Sequence, residues 1–383
     1  MIQTSMGSRP DDRPVRPALI VDASTMTGLA HSLRRLLLGL RSEACQPALV
    51  HPPQFEVISL PGPPTETMPY PAYRIPFMGG YNRRLLTEQL AAFKPTVLHC
   101  FDVSRAELTR HLATALGVPY VLTFSRPPGW IKPLVVPSHC AALIAWRTAT
   151  VERLKRRYPF MAESVFHVNV GAFVSDKCAC FGEPDRIASM VTVQPLHRLA
   201  DLEPVLNALR HLTVDGHQCM LAVIGKGRAD RALFRRINEL GLNEIVTLVP
   251  QVRPLRNVLA GADIFLQTQP VSPTDANLLD ALSVGTAVAV CRRGAEGVLT
   301  EDENAVFFQS NDELSIYTAL RKLLVDRGFA RRLAEAGQQY IRRHHSVSRM
   351  VEDLIEIYHM AQHWYAKTTA SATDASSATS APV

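Results

Sequence analysis

Val258–Thr268 reads VLAGADIFLQT, and Leu278–Val290 reads LLDALSVGTAVAV. The first contains a short strand, Asp263–Gln267, apolar through its centre. The second opens on a helical pattern, breaks at Gly285 and closes in another apolar run, Thr286–Cys291. Continuously apolar strands joined by a helix point to parallel pairing with both faces covered, because a sheet with one wet face would alternate apolar and polar residues. Working outward, the same half holds further candidate strands at Met190–Val193, Met220–Ile224, Ile245–Val249 and Ala305–Phe308. The first half has its own series at Ala18–Val21, Pro47–Val50, Phe55–Leu60, Thr96–Cys100, Tyr120–Phe124 and Ala142–Ala145.

Helical patterns separate these strands. Leu29, Leu33, Leu36, Leu37 and Leu40 share one helix face, and Asn311-Asp312 can cap a helix carrying Leu314, Leu320, Leu323 and Leu324. The two series predict an α/β chain of two doubly wound, Rossmann-like domains. The expected boundaries are 18–172 for the first domain and 188–345 for the second. Residues 173–187 (AFVSDKCACFGEPDR over 172–186) lose periodicity and read as a linker. A final helix over 346–365 follows the completed second sheet. The Pro/Arg-rich 1–17 and the Ser/Thr/Ala-rich 366–383 are expected to be disordered.

Composition narrows the function class. The 383 residues are 47% hydrophobic and 20% charged, which excludes fibrous and fully disordered chains. A net charge of +6, spread in short clusters such as Arg153, Lys155, Arg156 and Arg157, is too thin for a nucleic-acid binder. It suits a mild attraction to anionic ligands or a membrane surface. No apolar run approaches the ~20 residues of a spanning helix, and the N-terminus lacks an apolar signal core. Seven cysteines, an odd number without a framework, fit a reducing compartment. The expectation is a cytoplasmic protein, with peripheral contact at the inner face of the membrane left open. Cys178-x-Cys180 lacks a second pair, and His359 with His363 lacks a third ligand, so no metal is expected. Gly225-Lys226-Gly227 follows a strand but lacks the third glycine of a nicotinamide-binding turn.

Taken in order, MLAVIGKG (Met220–Gly227), VLAGADIFLQT, LLDALSVGTAVAV and the helical stretch from Leu314 to Ala361 resemble the group 1, or family 4, glycosyltransferases of the GT-B fold. AAFKPTVLHCFD (Ala91–Asp102), GVPYVLTF (Gly117–Phe124) and HVNVGAF (His167–Phe173) resemble that family's first domain. The resemblance implies two Rossmann-like domains facing an interdomain cleft, the first binding acceptor and the second a nucleotide-sugar. It implies that the last helix returns to the first domain. No cofactor is implied beyond the nucleotide-sugar donor, which is a substrate.

The family's charged donor-site positions are altered here. Pro195 and Ala200 stand where an arginine and a lysine usually neutralise the diphosphate. Ser272 and Asp280 occupy the two positions of a glutamate pair, and Asp275 replaces a glycine that lets backbone N–H groups approach phosphate. His99 is kept, while Phe101 stands where a reactive histidine often lies. Losing two charge-assisted contacts weakens phosphate stabilisation by about 3–6 kcal/mol. Compensation is open to His197 and Arg198 and to Lys226 between Gly225 and Gly227, while Glu296 lies within one residue of an acid often found in the family's donor pocket. The candidate site is therefore Asp280, Ser272 and His99 for chemistry, and Gly225, Lys226, Gly227, Arg198, Asp280 and Glu296 for the donor. Asp275 reads first as a helix cap. Two functions stay open: transfer of a sugar to a polysaccharide or glycolipid acceptor, or a catalytically inactive GT-B protein that partners an active transferase.

Overall fold

The structure, a computed structural model, describes residues 14–55, 65–70, 79–124, 139–183, 186–250, 252, 254–272, 274–295 and 299–378. The chain forms two compact units, Met1–Val170 with Val347–Val383, and Gly171–Ser346.

Unit 1 is built on seven strands: β1 (Pro17–Ile20), β2 (Ala48–His51), β3 (Glu66–Pro69), β4 (Val97–Cys100), β5 (Tyr120–Phe124), β6 (Cys140–Ala145) and β7 (Val165–His167). They pair in the order β3-β2-β1-β4-β5-β6-β7, every pair parallel. The strand order reverses between β1 and β4, so the crevice of a doubly wound sheet opens at their carboxyl ends. β1, β2, β4, β5 and β6 are buried along their whole length. That burial is why they read as unbroken apolar runs. Residues 56–60 of the expected strand Phe55–Leu60 lie outside the described residues, and β3 is the strand found beside β2.

The helix Ala30–Ser42 buries Leu33, Leu36, Leu37 and Leu40, the face its spacing predicts. Against it packs the last helix, Val347–Ala378, which belongs to unit 1. This helix runs past the expected end at 365. Residues 366–378 contain no Gly or Pro and are rich in Ala, the best helix former, so the turn pattern continues instead of ending. Residues 379–383 and 1–13, expected to be disordered, lie outside the described residues. Val15 is buried and the Arg16 guanidinium donates to the Phe93 carbonyl, so the first domain's order begins before residue 18.

Unit 2 contains β8 (Ala188–Val193), β9 (Cys219–Ile224), β10 (Val246–Val249), β11 (Ile264–Gln267), β12 (Ala287–Cys291) and β13 (Val306–Phe308). The order is β10-β9-β8-β11-β12-β13, again all parallel, with the reversal between β8 and β11. The segment read as a linker is held to unit 2 by named bonds. Ser175, Ala179 and Cys180 donate their N–H groups to the carbonyls of Ser283, Val284 and Gly285, and the Gln338 amide donates to the carbonyls of Ser175 and Lys177. It loses periodicity because it packs through backbone bonds and lacks a helix or strand face.

Candidate functional site

The crevice of unit 2 is made by the residues that follow β8 and β11. β8 ends at Val193, and the next side chain, Gln194, is buried. β11 ends at Gln267, followed by Thr268 and Gln269. Successive side chains leave a strand on opposite faces; Gln267 and Thr268 divide in this way, and Gln269, past the strand end, joins Thr268. The Thr268 hydroxyl and the Gln269 amide (3.3 Å) donate to Gln194 Oε1, while the Gln267 amide donates to Asp275 Oδ2 at 3.1 Å. Gln194 Nε2 is a buried donor without a protein partner. Such a group costs free energy unless a water or ligand accepts from it.

Asp275 caps the helix Ala276–Ser283. Its Oδ1 accepts from the N–H groups of Asn277 (3.0 Å) and Leu278 (3.3 Å). Burial raises its carboxyl above the ordinary carboxylate range, and these two backbone bonds and the Gln267 amide oppose the rise. The cap reading of Asp275 therefore holds. Ser272 forms the turn before it: its hydroxyl lies 3.0 Å from that of Thr274 and its carbonyl accepts from the Asp275 N–H. Ser272 and Asp275 are thus brought together at the crevice.

Asp280 lies on the same helix but is nearly enclosed. Its carboxylate is 3.5 Å from the Arg256 guanidinium, which also donates to Ser283 Oγ at 2.7 Å. Arg256 comes from the short helix Leu255–Ala260. The pairing gives Asp280 a protein partner of opposite charge, which its assignment to the donor left out.

The glycine turn has a structural reason beyond any ligand. A Cβ on Gly225 would lie 2.0 Å from the Gln194 carbonyl oxygen, and one on Gly227 1.9 Å from that of Leu196. The two glycines let the β9 turn lie against the β8 turn, backbone on backbone. Two of the turn's N–H groups are already engaged: Gly225 donates to the Val249 carbonyl and Gly227 to Asp230 Oδ1. Lys226, between them, is exposed. Arg198 is exposed too, and donates to Asp201 at 2.6 Å. Glu296 lies outside the described residues.

His99 requires a correction, because the structure does not make it a reacting group. It sits on β4 in unit 1, fully buried. Nδ1 lies 2.7 Å from the Tyr358 hydroxyl and Nε2 2.7 Å from Thr123 Oγ1. Phe101 stacks on it at 4.1 Å. Burial lowers its pKa to about 3, so the ring is neutral at pH 7. In that form one nitrogen donates and the other accepts, and two hydroxyl partners satisfy both. His99 is a strut between the sheet and the last helix. No group of three or more His, Cys, Asp or Glu side chains placed to hold a metal occurs among the described residues. Cys178 and Cys180 are free thiols packed on unit 2, with the Cys178 thiol directed to the Gly285 carbonyl.

Residues 182–340, nearly all of unit 2, match the family model described as glycosyl transferases group 1. Unit 2 thus carries the likeness to the group 1 glycosyltransferases. Solved structures extend the likeness to the whole chain. A glycosyltransferase from Rickettsia africae superposes with a TM-score of 0.70 at 12% identity, covering 91% of this chain and 98% of that one. The Anabaena protein HepE, solved with UDP and glucose, gives 0.65 at 11% identity over 89% and 98%. A lipopolysaccharide outer core galactosyltransferase, WaaB, gives 0.65 at 13% identity over 90% and 99%. At such identities the likeness establishes the fold, which is GT-B. No curated protein matches the chain by sequence.

Sequence reading missed Gln194, Thr268, Gln269 and Arg256 at this crevice. The first three were findable: QP at 194–195 and QTQP at 267–270 put amides directly after the two strands that flank the reversal. Arg256 carried no such mark, since its partnership with Asp280 is made by tertiary packing.

Proposed function

We propose that the protein transfers a sugar from a nucleotide-sugar donor to a polysaccharide or glycolipid acceptor, with the donor bound on unit 2. The observation that carries this reading is the polar crevice at the ends of β8 and β11, where Gln194 Nε2 is a buried donor in want of an acceptor. Doubly wound sheets bind ligands at this position, and a sugar or nucleoside offers carbonyl and hydroxyl oxygens to such an amide. The solved relative holding UDP and glucose supports the donor class.

Unit 1 supports a glycolipid acceptor and peripheral contact with a cytoplasmic membrane face. The helix Thr148–Arg157 ends on Lys155, Arg156 and Arg157, and Phe160, just beyond, is 74% exposed. Cations beside an exposed aromatic ring suit an anionic lipid interface. No helix among the described residues is long and apolar enough to cross a membrane.

A second reading, a non-catalytic GT-B protein that binds glycans or partners an active transferase, is favoured by one observation: Asp275 occupies the helix N-terminus with a carboxylate. Calorimetry with uridine, guanosine, UDP, GDP and the corresponding nucleotide-sugars tests the donor claim, and hydrolysis or transfer of the bound sugar separates the two readings. Binding weaker than about 1 mM to every one of them removes the donor site.

A further inference from the structure

We propose that Asp275 is a self-supplied anion that closes the diphosphate subsite of unit 2, leaving the crevice to recognise the uncharged part of its ligand, a nucleoside or sugar. The proposal rests on the nucleotide-sugar reading above and goes further by naming what holds the phosphates off.

The first free N–H groups of a helix at the carboxyl edge of a parallel sheet are the natural seat of a phosphate. Here Asp275 Oδ1 already accepts from Asn277 and Leu278, and Oδ2 is tied to the Gln267 amide. Both oxygens are anchored, so the carboxylate is held over the helix end. A diphosphate arriving there meets a like charge in a partly buried place, where screening by water is weak. Gly225 and Gly227 have donated their N–H groups within the protein and Pro195 carries no charge, which leaves Lys226, exposed between the two glycines, as the cation of the turn. The remaining lining, Gln194, Thr268 and Gln269, is neutral and suited to hydroxyl and carbonyl oxygens.

Asp275→Asn removes the charge and keeps the cap, since asparagine caps as well as aspartate, and Asp275→Ser gives a second capping variant without charge. Thermal melting and circular dichroism establish that each variant is folded. Uridine and UDP, and in parallel guanosine and GDP, are then titrated calorimetrically into each protein. In the wild type, the diphosphate is expected to bind no more tightly than its nucleoside. In both variants it should bind at least tenfold more tightly than in the wild type, with nucleoside affinity unchanged within twofold.

Wild-type binding of UDP or GDP tenfold tighter than the nucleoside, or diphosphate affinity unmoved by both variants while nucleoside binds, overturns the role of Asp275 and leaves the donor reading standing. No binding of nucleoside or diphosphate to any folded form overturns both.

Discussion

Acidification is expected to destabilise unit 1 through His99. In the folded chain the ring is fully buried, pinned between Tyr358 and Thr123, with its pKa lowered to about 3 from 6.5 by loss of water. In the unfolded chain it titrates near its ordinary value. Between the two values the unfolded state binds more protons, so stability rises with pH there and falls as pH is lowered. The stabilisation is whole above the unfolded pKa and is lost progressively toward the folded one. Each pH unit inside that window corresponds to about 1.4 kcal/mol, so lowering the pH from about 6.5 to about 5 removes roughly 2 kcal/mol through this group alone. The assay is guanidinium unfolding at several pH values, followed by tryptophan fluorescence. Trp146 and Trp364 belong to unit 1 and unit 2 contains no tryptophan, so the signal reports on unit 1. His139 and His167 also have lowered pKa values, and carboxylates add their own slope. The comparison is therefore between wild type and His99→Gln, which cannot titrate. The wild-type curve should be steeper by roughly 1 kcal/mol per pH unit in this range. Parallel curves would refute the assignment of His99 as a buried neutral strut.

Further outcomes follow from the same contacts. Gly227→Ala should destabilise unit 2 by about 3 kcal/mol, because its Cβ would meet a backbone carbonyl that cannot rotate away; a change under about 1 kcal/mol in chemical denaturation would contradict that contact. Gly39→Ala should lower the melting temperature, since its Cβ would lie 2.6 Å from both Val347 Cγ1 and Val351 Cγ2 on the last helix, outweighing a helix-propensity gain of about 1 kcal/mol. A rise in melting temperature would show the two helices to be less closely packed. Arg256→Met should cost about 2 kcal/mol by removing a cationic partner of the enclosed Asp280, the buried-pair penalty discounted for a partly exposed guanidinium. Adding Asp280→Asn should recover part of it, and additive losses would mean the pair is not coupled.

The fold was legible because its strands are buried on both faces. Apolar runs at Tyr120–Phe124 and Thr286–Cys291 match β5 and β12 to within a residue, and the leucine spacing of Ala30–Ser42 marked its buried face. Helix caps were equally readable at Asp275 and Asp312, whose side chains accept from the first free N–H groups. What a residue type does not reveal is its direction and depth. His99 in VLHCFD looks available to substrate, yet β4 is central and its register turns the ring into the core. Asp280 can be placed on a helix by spacing, but its pairing with Arg256 depends on a packing contact across 24 residues of sequence. The segment 173–187 lacks periodicity because it is held by backbone bonds to unit 2, which leave no side-chain pattern.

The last helix also sets the order in which the chain can be completed during synthesis. Unit 1 takes its core from both ends of the sequence, and Tyr358 reaches His99 only after everything up to residue 358 has emerged. Unit 2 is continuous and has all its residues at 346. Domains fold as units while the chain is made, so unit 2 can finish first while the earlier-made sheet waits for its final helix. A chain cut short before residue 347 would keep the sequence of unit 2 intact and leave unit 1 with Leu33, Leu36 and Gly39 uncovered. Loss of the C-terminus is thus a lesion of the N-terminal domain.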